Sequence, residues 1–256
     1  MKKIDTIIFD WAGTTVDYGS FAPVQAFIEA FKQFGVEPTT EEVRKPMGML
    51  KHDHIRTMMQ MPRISRLWEE KHGKAWTEED VDAVYLASET GIMKILKNFV
   101  EPKPYVLDTV AELKKMGIKI GSTTGYTDEM MEIVVPAAKA AGYEPDAWFT
   151  PNAVGNMGRP YPYMIFKNME ALKCTSVERV MKVGDTLSDI KEGKNAGMTA
   201  VGIIEGSSVM GLSQEEYEAM SIERRKVEDA RVREAYKEAG ADYVIQDIRG
   251  VLDLIK

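Results

Sequence analysis

The first apolar run of the chain and the loop after it read Ile7-Ile8-Phe9-Asp10-Trp11-Ala12-Gly13-Thr14-Thr15-Val16-Asp17. The β-branched and apolar side chains of residues 6–9 predict a buried strand, so Asp10 should lie where that strand ends. In open sheets of alternating strands and helices, ligand-facing groups occupy this place. An aspartate that caps the following turn would leave the same pattern, because Gly13 and Thr14 also favour a turn. The run therefore predicts the first strand of an α/β fold with a candidate functional aspartate at its end.

Short apolar runs alternate with amphipathic helical stretches along the rest of the chain. Further strands are expected at residues 118–123, 180–183, 199–203 and 243–245, and a helix at residues 106–116. Strands that alternate with helices in this way form a parallel sheet covered by helices. The sequence therefore predicts an α/β, Rossmann-like core with a parallel sheet.

A different pattern separates the first predicted strand from the second. Residues 21–100 show helical periodicity and no convincing strand. Thr39 or Thr40 stands where the N-cap of a helix is expected. The simplest account is an all-helical cap domain of residues 21–100, inserted into a core domain of residues 1–20 and 101–256.

Two helical stretches raise questions about their exposed faces. Phe27, Phe31 and Phe34 share one helix face, which would support a homodimer if it were exposed. Packing inside the inserted domain would leave the same pattern. Residues 213–240 are highly charged and helical, and they predict a solvated outer helix pair.

Composition limits the classes of partner. The 256-residue chain carries a net charge of −7, which argues against nucleic-acid and membrane-surface binding, since both favour basic patches. The lone Cys174 cannot form an intramolecular disulfide and fits a reducing compartment. No apolar run approaches the ~20 residues that span a bilayer, and the N-terminus shows no long apolar signal segment. A cytoplasmic protein with no nucleic-acid or membrane partner is expected.

Three further motifs carry groups that suit phosphoryl chemistry. Gly121-Ser122-Thr123-Thr124-Gly125 offers a hydroxyl and backbone N–H groups to a phosphoryl oxygen. Gly158-Arg159-Pro160 offers a planar guanidinium fork. Gly184-Asp185-Thr186-Leu187-Ser188-Asp189 follows an apolar run, and clustered carboxylates suit Mg²⁺. A Thr-rich turn, a surface arginine and a pair of helix-capping acids are the respective structural alternatives.

In their order and spacing, these motifs and the Asp10 loop resemble the haloacid dehalogenase (HAD) superfamily over nearly the whole predicted core. The resemblance implies that Asp10 attacks phosphorus and becomes an aspartyl-phosphate, while Thr124 and Arg159 hold phosphoryl oxygens. It also implies that Asp10, Asp185 and the backbone carbonyl of Ala12 bind Mg²⁺. Asp189 would complete the metal site, either directly or through water or a neighbouring group.

One position departs from the phosphatases of that superfamily. They place a second aspartate two residues after the first, to protonate the leaving oxygen, and this chain has Ala12 there. Alanine cannot donate a proton. Three outcomes are therefore open: no catalysis, a good leaving group, or activation by another device.

The inserted segment offers a candidate device in Arg44-Lys45-Pro46-Met47-Gly48-Met49-Leu50-Lys51-His52-Asp53-His54. If residues 50–56 are helical, Lys51 and His54 share a face. Apolar neighbours would partly desolvate the lysine, and the nearby cations Arg44, Lys45 and Arg56 would repel its charge. Both effects favour the neutral amine, which is the form that attacks a carbonyl. A lysine on a solvated helix face is the structural alternative.

The joint presence of Ala12 and Lys51 narrows the resemblance to the phosphonoacetaldehyde hydrolase (phosphonatase) family. The matching stretches are residues 9–19, 44–51, 121–127, 158–162 and 184–189, and they end with Gly206-Ser207-Ser208. The resemblance implies that Lys51 forms a Schiff base with the aldehyde while Asp10 attacks phosphorus, so that the leaving carbon departs as an enamine. The P–C bond of phosphonoacetaldehyde would then be hydrolysed to acetaldehyde and phosphate, within the degradation of 2-aminoethylphosphonate.

The same resemblance suggests further roles and an assembly. His54 would relay protons, while Met47, Gly125 and Tyr126 would contact the substrate, and the protein would be a homodimer. Taken as residues alone, Met47 equally suits core packing and His54 a hydrogen bond across the inserted domain. Since Lys51 and Asp10 belong to different predicted domains, closure of the cap over the core is expected to assemble the site.

Other functions remain open from the sequence. The main alternative is a Mg²⁺-dependent HAD phosphatase or phosphotransferase that acts on a small phosphate ester without the second aspartate. A non-catalytic binding protein would not need Asp10, Asp185, Asp189, Thr124 and Arg159 together. A haloacid dehalogenase also lacks the second acid, yet the acidic pair at 185 and 189 favours metal-dependent phosphorus chemistry.

Overall fold

The computed structural model describes residues 4–47 and 49–255. Within these ranges the strands form one parallel sheet in the order β3-β2-β1-β4-β5-β6. The strands are β1 (Thr6–Phe9), β2 (Lys119–Thr123), β3 (Ala147–Phe149), β4 (Val180–Gly184), β5 (Thr199–Ile203) and β6 (Tyr243–Ile245). The predicted α/β class with a parallel sheet is confirmed.

Helices connect the strands. They are α1 (Phe21–Gln33), α2 (Thr40–Arg44), α3 (Lys51–Met59), α4 (Pro62–His72), α5 (Glu78–Ile95), α6 (Val106–Lys115), α7 (Asp128–Ala140), α8 (Tyr163–Ala171), α9 (Leu187–Asn195), α10 (Gln214–Glu218), α11 (Ile222–Glu238) and α12 (Val251–Leu254). The predicted outer helix pair is confirmed as α10 and α11. No helix in the described ranges is both long enough and apolar enough to cross a bilayer.

Strand β3 is not among the predicted strands. It has three residues, all of them half-buried, and it follows Pro145 and Asp146. Such a segment is too short to show a two-residue alternation, and proline and aspartate favour loops. Pairing with β2 at the sheet edge, rather than a local preference, gives it strand structure.

The register of the central strands aligns the predicted motifs. Phe9, the last residue of β1, lies opposite Ser122 of β2 on one side and Val183 of β4 on the other. Parallel strands in register bring their carboxyl ends to one edge of the sheet. The loops after β1, β2 and β4 therefore begin side by side.

Helices α1 to α5 lie between β1 and β2 in the chain and have a hydrophobic cluster of their own. Phe27 and Phe31 are 2% and 0% exposed within it, and Phe34 stacks on Trp68 with ring centroids 5.8 Å apart. The phenylalanine face therefore packs internally, and the hypothesis that it supports a homodimer is wrong. The division of the chain into a core and a cap at the stated boundaries stays a prediction.

The helix starts follow local capping chemistry. Thr39, rather than Thr40, is the N-cap of α2: its hydroxyl accepts from the Glu42 backbone N–H at 3.2 Å, and the Glu42 carboxylate accepts from the Thr39 N–H at 2.8 Å. This reciprocal pair satisfies two N–H groups that the helix leaves unbonded.

The two connections between the sheet and α1–α5 run side by side. The backbone N–H of Lys103 donates to the carbonyl of Thr15 at 2.9 Å, and that of Asp17 donates to the carbonyl of Glu101 at 3.3 Å. The Asp17 carboxylate then accepts from the N–H groups of Phe21 and Ala22 at 3.0 Å each, which caps the start of α1. The helical segment is thus joined to the sheet through one narrow, hydrogen-bonded pair of strand-like connections.

Candidate active site

A cavity of about 440 Å³, open to solvent, lies where the sheet edge meets the helical segment. Side chains from both parts line it, which brings together residues more than 100 positions apart in the chain. Of the eleven site residues predicted from the sequence, all except Asp189 line this cavity: Asp10, Ala12, Met47, Lys51, His54, Thr124, Gly125, Tyr126, Arg159 and Asp185.

Three carboxylates converge at the site, two of them lining the cavity. Asp10, Asp185 and Asp189 are each buried, and one oxygen from each lies within 4.8 Å of the others. Burial raises the pKa of both Asp10 and Asp185, and the neighbouring carboxylates raise the pKa of Asp185 further. Buried charges of one sign are costly unless a cation compensates them, and carboxylate oxygens suit a hard cation such as Mg²⁺.

Gly13 shows how closely the loop after β1 approaches these carboxylates. A Cβ on Gly13 would lie 2.0 Å from Asp185 Oδ2, and the residue has a φ of +87°. Both the space and the backbone conformation therefore require glycine. The loop can pass directly beside Asp185 only because this side chain is missing.

Asp189 has a different environment from the other two carboxylates. Its Oδ2 accepts from the Thr186 hydroxyl at 2.6 Å and from the Thr186 N–H at 3.1 Å, which caps α9. Its Oδ1 pairs with Lys182 at 2.8 Å and Arg159 at 3.1 Å. Burial alone would raise the pKa of Asp189, but the two cations lower it below the ordinary value. With both oxygens engaged, Asp189 is suited to holding neighbouring groups in place.

Arg159 connects Asp10 to this network. It is 6% exposed and contacts the Asp10 carboxylate, the carbonyl and hydroxyl of Thr123 at 3.0 Å each, and Glu192 Oε2 at 3.1 Å. Burial lowers the pKa of the guanidinium, yet the attraction of the carboxylates outweighs this and raises it. Arg159 is therefore a fixed cation beside Asp10, with its planar fork held by several partners.

The sequence reasoning missed three buried charged residues under the site. Lys182 and Glu192 are fully buried and lie 3.4 Å apart. The Lys103 ammonium donates to the carbonyls of Gly13 and Glu205, and burial lowers its pKa to about 8. A lysine inside the apolar run 180–183 is a visible signal, because charged side chains rarely lie in buried strands unless they are paired.

Thr124 and Tyr126 shape the side of the cavity that follows β2. The Thr124 hydroxyl accepts from the backbone N–H of Tyr126 at 3.0 Å, and both residues are buried. The ring of Tyr126 lies under the Lys51 ammonium, with Nζ 4.6 Å from the ring centroid. A cation in this position is attracted by the ring face.

Lys51 is the first residue of α3 and is half-buried at the cavity wall. Burial lowers its pKa from 10.5 to about 8, and the negative charge of Glu89 acts in the opposite direction. The pKa of Lys51 is therefore lowered, as predicted, but one of the two predicted causes is wrong. Burial, and not nearby cations, accounts for it.

The cations expected to repel Lys51 are engaged elsewhere. Arg44 donates to the carbonyl of Gly19 at 2.7 Å and to that of Ser208 at 3.3 Å. Arg56 pairs with Asp53 at 2.6 Å and with Glu78 at 2.8 Å. The Arg56 charge is thus matched by two carboxylates, whereas the Arg44 guanidinium is held by backbone carbonyls.

His54 is almost fully buried and stacks on Phe27 with ring centroids 4.2 Å apart. Burial and the nearby Lys51 charge lower its pKa to about 3, against a hydrogen bond to the backbone of Val43 that favours the charged form. Its Nε2 has no hydrogen-bond partner among the described residues. The imidazole is therefore neutral at physiological pH, and its Nε2 is left unbonded.

Comparison with known proteins identifies the family of the chain. Residues 4–197 match the family model of haloacid dehalogenase-like hydrolases. A phosphonoacetaldehyde hydrolase of Lysinibacillus sphaericus is 51% identical over 99% of this chain and 94% of its own length. A bifunctional phosphonoacetaldehyde hydrolase/aminoethylphosphonate transaminase of Clostridioides difficile is also 51% identical, but the chain spans only 40% of that protein.

A solved structure gives the same fold. The crystal structure of a phosphonoacetaldehyde hydrolase-like protein from Oleispira antarctica superposes with a TM-score of 0.95 at 37% identity, covering 99% of this chain and 91% of the other.

Proposed function

The chain belongs to the phosphonoacetaldehyde hydrolase family of the HAD superfamily, and we propose that it hydrolyses the P–C bond of phosphonoacetaldehyde to acetaldehyde and phosphate. The observation that carries this proposal is that Lys51 and Asp10 line one small cavity. An amine that can capture an aldehyde thus faces a carboxylate that can attack phosphorus. Ala12 stands where an ester-cleaving relative would need an acid, and a carbon leaving group needs a different device.

The amine step begins at Lys51. With a pKa near 8, an appreciable fraction of Lys51 is neutral at physiological pH, and the neutral amine adds to the aldehyde carbon. Loss of water from the adduct leaves an iminium between Nζ and the former carbonyl carbon. His54 would relay a proton only transiently during this step, because its Nε2 is unbonded but burial keeps its pKa near 3.

The phosphorus step uses Asp10 as nucleophile. Its oxygen attacks phosphorus in line with the P–C bond, and the electron pair of that bond forms the C=C bond of an enamine while the iminium nitrogen becomes neutral. Arg159 and Thr124 offset negative charge on the phosphoryl oxygens. Protonation of the enamine carbon and hydrolysis release acetaldehyde, and water cleaves the aspartyl-phosphate to give phosphate.

The carboxylates fit a Mg²⁺ ion. Asp10, Asp185 and the backbone carbonyl of Ala12 would hold it, and Asp189 would support the site through its contacts with Lys182, Arg159 and Thr186. When bound, Mg²⁺ would neutralise charge between the attacking carboxylate and the phosphonate. The raised pKa values of Asp10 and Asp185 support this assignment, because both carboxylates are more stable as anions beside a divalent cation.

The helical segment would act as a cap. Its two hydrogen-bonded connections beside Asp17 and Lys103 provide a narrow hinge, and closure would exclude water from Lys51 and Asp10 together. Substrate contacts are assigned to Met47, Gly125 and Tyr126, which line the cavity between these two groups. A disulfide or cross-link that holds the cap open should abolish turnover; full activity in that state would refute closure.

We also propose a homodimer, with its interface on an exposed aromatic patch. Met157, Tyr161, Tyr163 and Phe166 are each 41–53% exposed, and the rings of Tyr161 and Tyr163 stack with centroids 5.9 Å apart. Apolar side chains grouped in this way favour burial against a second copy. Sedimentation of Tyr163→Asp should show the monomer, and a dimer that persists in this variant would show that the interface lies elsewhere.

A cytoplasmic location stays a prediction.

The decisive experiment traps the Schiff base. The protein is incubated with phosphonoacetaldehyde and borohydride, and the adduct is mapped by mass spectrometry. A reduced adduct on Lys51 is expected, and Lys51→Ala should give none. An adduct at another lysine, or phosphate-ester hydrolysis retained in Lys51→Ala, would instead favour a phosphatase of the superfamily.

A further inference from the structure

Helices α3 and α5 run antiparallel and meet along one row of polar side chains. Arg56 of α3 pairs with Glu78 of α5 at 2.8 Å, and one turn earlier His52 pairs with Asp82 at 2.6 Å. The ring of His52 also lies edge-on to Tyr85, with centroids 5.5 Å apart. Residues nearer the start of α3 therefore lie beside residues nearer the end of α5.

Glu89 is the next position in this row. The positions 78, 82, 85 and 89 follow the spacing of one helix face, so Glu89 lies beyond Tyr85 on the side of α5 that faces α3. The first residue of α3, at that end of the row, is Lys51. The charge of Glu89 does act on Lys51, favouring its protonated form.

The Glu89 carboxylate is incompletely paired. It acts electrostatically on Tyr85, one turn earlier on the same helix. Its Oε1 is buried and has no hydrogen-bond partner among the described residues. A buried carboxylate oxygen without a partner is costly, and a nearby cation is the compensation that burial calls for.

Other groups around Lys51 do not provide that negative charge. His54, on the same helix, is neutral, and the pKa of Tyr126 is raised well above 10 by burial, so its phenol is also neutral. Glu129 of α7 acts on Tyr85. Across the cavity, Asp10 is held by Arg159, and Asp185 belongs to the proposed metal site.

We propose that Glu89 is the counter-ion of the Lys51 cation, both as the resting ammonium and as the iminium that forms with substrate. The inference rests on the proposed Schiff-base function. Glu89 does not touch the reacting atoms, so it is a positioning residue that acts through the nitrogen of Lys51.

The chemistry explains why a counter-ion is needed. Only a protonated imine nitrogen accepts the electron pair of the P–C bond, because a neutral imine would have to become an anion. Burial at the cavity wall, together with the positive end of α3, favours the neutral nitrogen. Glu89 offsets both effects and keeps the imine protonated until cleavage turns it into a neutral enamine.

The test measures the ionisation of Lys51 without relying on turnover. The rate at which an amine-reactive anhydride labels Lys51 in the free protein is followed against pH by peptide mass spectrometry. In Glu89→Gln the midpoint should fall by about one pH unit, as expected for loss of one nearby charge. Glu89→Asp, which keeps the charge, should recover most of the shift. Asp82→Asn, on the same helix face but paired with His52, should leave it unchanged.

A second readout separates this role from a purely structural one. In Glu89→Gln, activity on phosphonoacetaldehyde should be lost at a lower pH on the basic side of the profile, because the imine deprotonates more easily. A Lys51 midpoint that is the same in Glu89→Gln and the unsubstituted protein would overturn the counter-ion role. If borohydride traps no adduct on Lys51 of the unsubstituted protein, the proposed function itself fails, whatever the effect of Glu89.

Discussion

Replacing Lys51 by methionine should stabilise the fold at neutral pH, and the gain should vanish in alkaline solution. Folding places the Lys51 ammonium in a cavity wall where burial lowers its pKa from 10.5 to about 8. At 1.36 kcal/mol for each pH unit, the charged lysine costs the folded state about 3 kcal/mol below pH 8. Methionine has a similar length and no charge, so Lys51→Met removes this cost.

The sign of the pH dependence follows from proton binding. Between pH 8 and 10.5 the unfolded chain keeps the Lys51 proton while the folded protein has lost it. The unsubstituted protein therefore gains stability as the pH rises through this window, relative to Lys51→Met. Above about 10.5 both states carry a neutral amine, and the electrostatic difference should be close to zero.

The assay is urea unfolding of both proteins at pH 7, 8, 9 and 10, with the difference in free energy of unfolding as the result. Other groups titrate in this range, including Lys103, but they are common to both proteins and cancel in the difference. Lys115→Met is the matched control, because its side chain is 77% exposed and removing it should have little effect at any of these pH values. A difference for Lys51→Met that does not change with pH would refute the view that Lys51 is desolvated.

Three further changes test other parts of the site. Arg159→Lys keeps the charge but loses the planar fork that contacts Asp10, Thr123 and Glu192, so kcat/KM should fall about 100-fold. The control Arg231→Lys, on the surface, should have no effect. Unchanged kinetics of Arg159→Lys would show that the fork is unimportant. Gly13→Ala should weaken Mg²⁺ binding measured by calorimetry and lower the free energy of unfolding by about 1–3 kcal/mol. The reason is that the added Cβ would collide with Asp185 and the backbone would be strained. Unchanged binding would contradict the close approach of the Gly13 loop to Asp185. Chelation should abolish phosphate release, and Mg²⁺ should restore it; activity that persists in chelator would exclude a metal requirement.

Much of the fold was predictable because its signals are local. Buried parallel strands are short apolar runs, and those at the first, second, fourth, fifth and sixth positions stand out from the helices between them. The edge strand β3 does not, because three half-buried residues carry no periodic pattern. The start of α2 was also visible, although only the structure chose Thr39 over Thr40 as its N-cap.

The residues that meet in the cavity could be picked out from the sequence, but their electrostatics could not. Asp10, Arg159 and Asp185 could be picked out from their motifs, and Lys51 from its apolar neighbours. The reason for the lowered pKa of Lys51 could not, because nearby arginines in the sequence turned out to pair with other partners. Whether a charged side chain shifts the pKa of a neighbour or is paired with another partner depends on contacts between segments that are distant in the chain.

The sequence by itself determined where the strands end and which chemical groups stand there, and it coupled the absence of an acid at Ala12 to the presence of Lys51. The tertiary structure decided that these groups share one cavity, that Phe27 and Phe31 pack inward, and that Lys182 and Glu192 support Arg159 from below. The physical reason is the distance along the chain over which each kind of interaction acts. Strand and cap signals arise between residues a few positions apart, whereas burial and charge pairing depend on sheet register and on helix packing, which join residues that no local pattern relates.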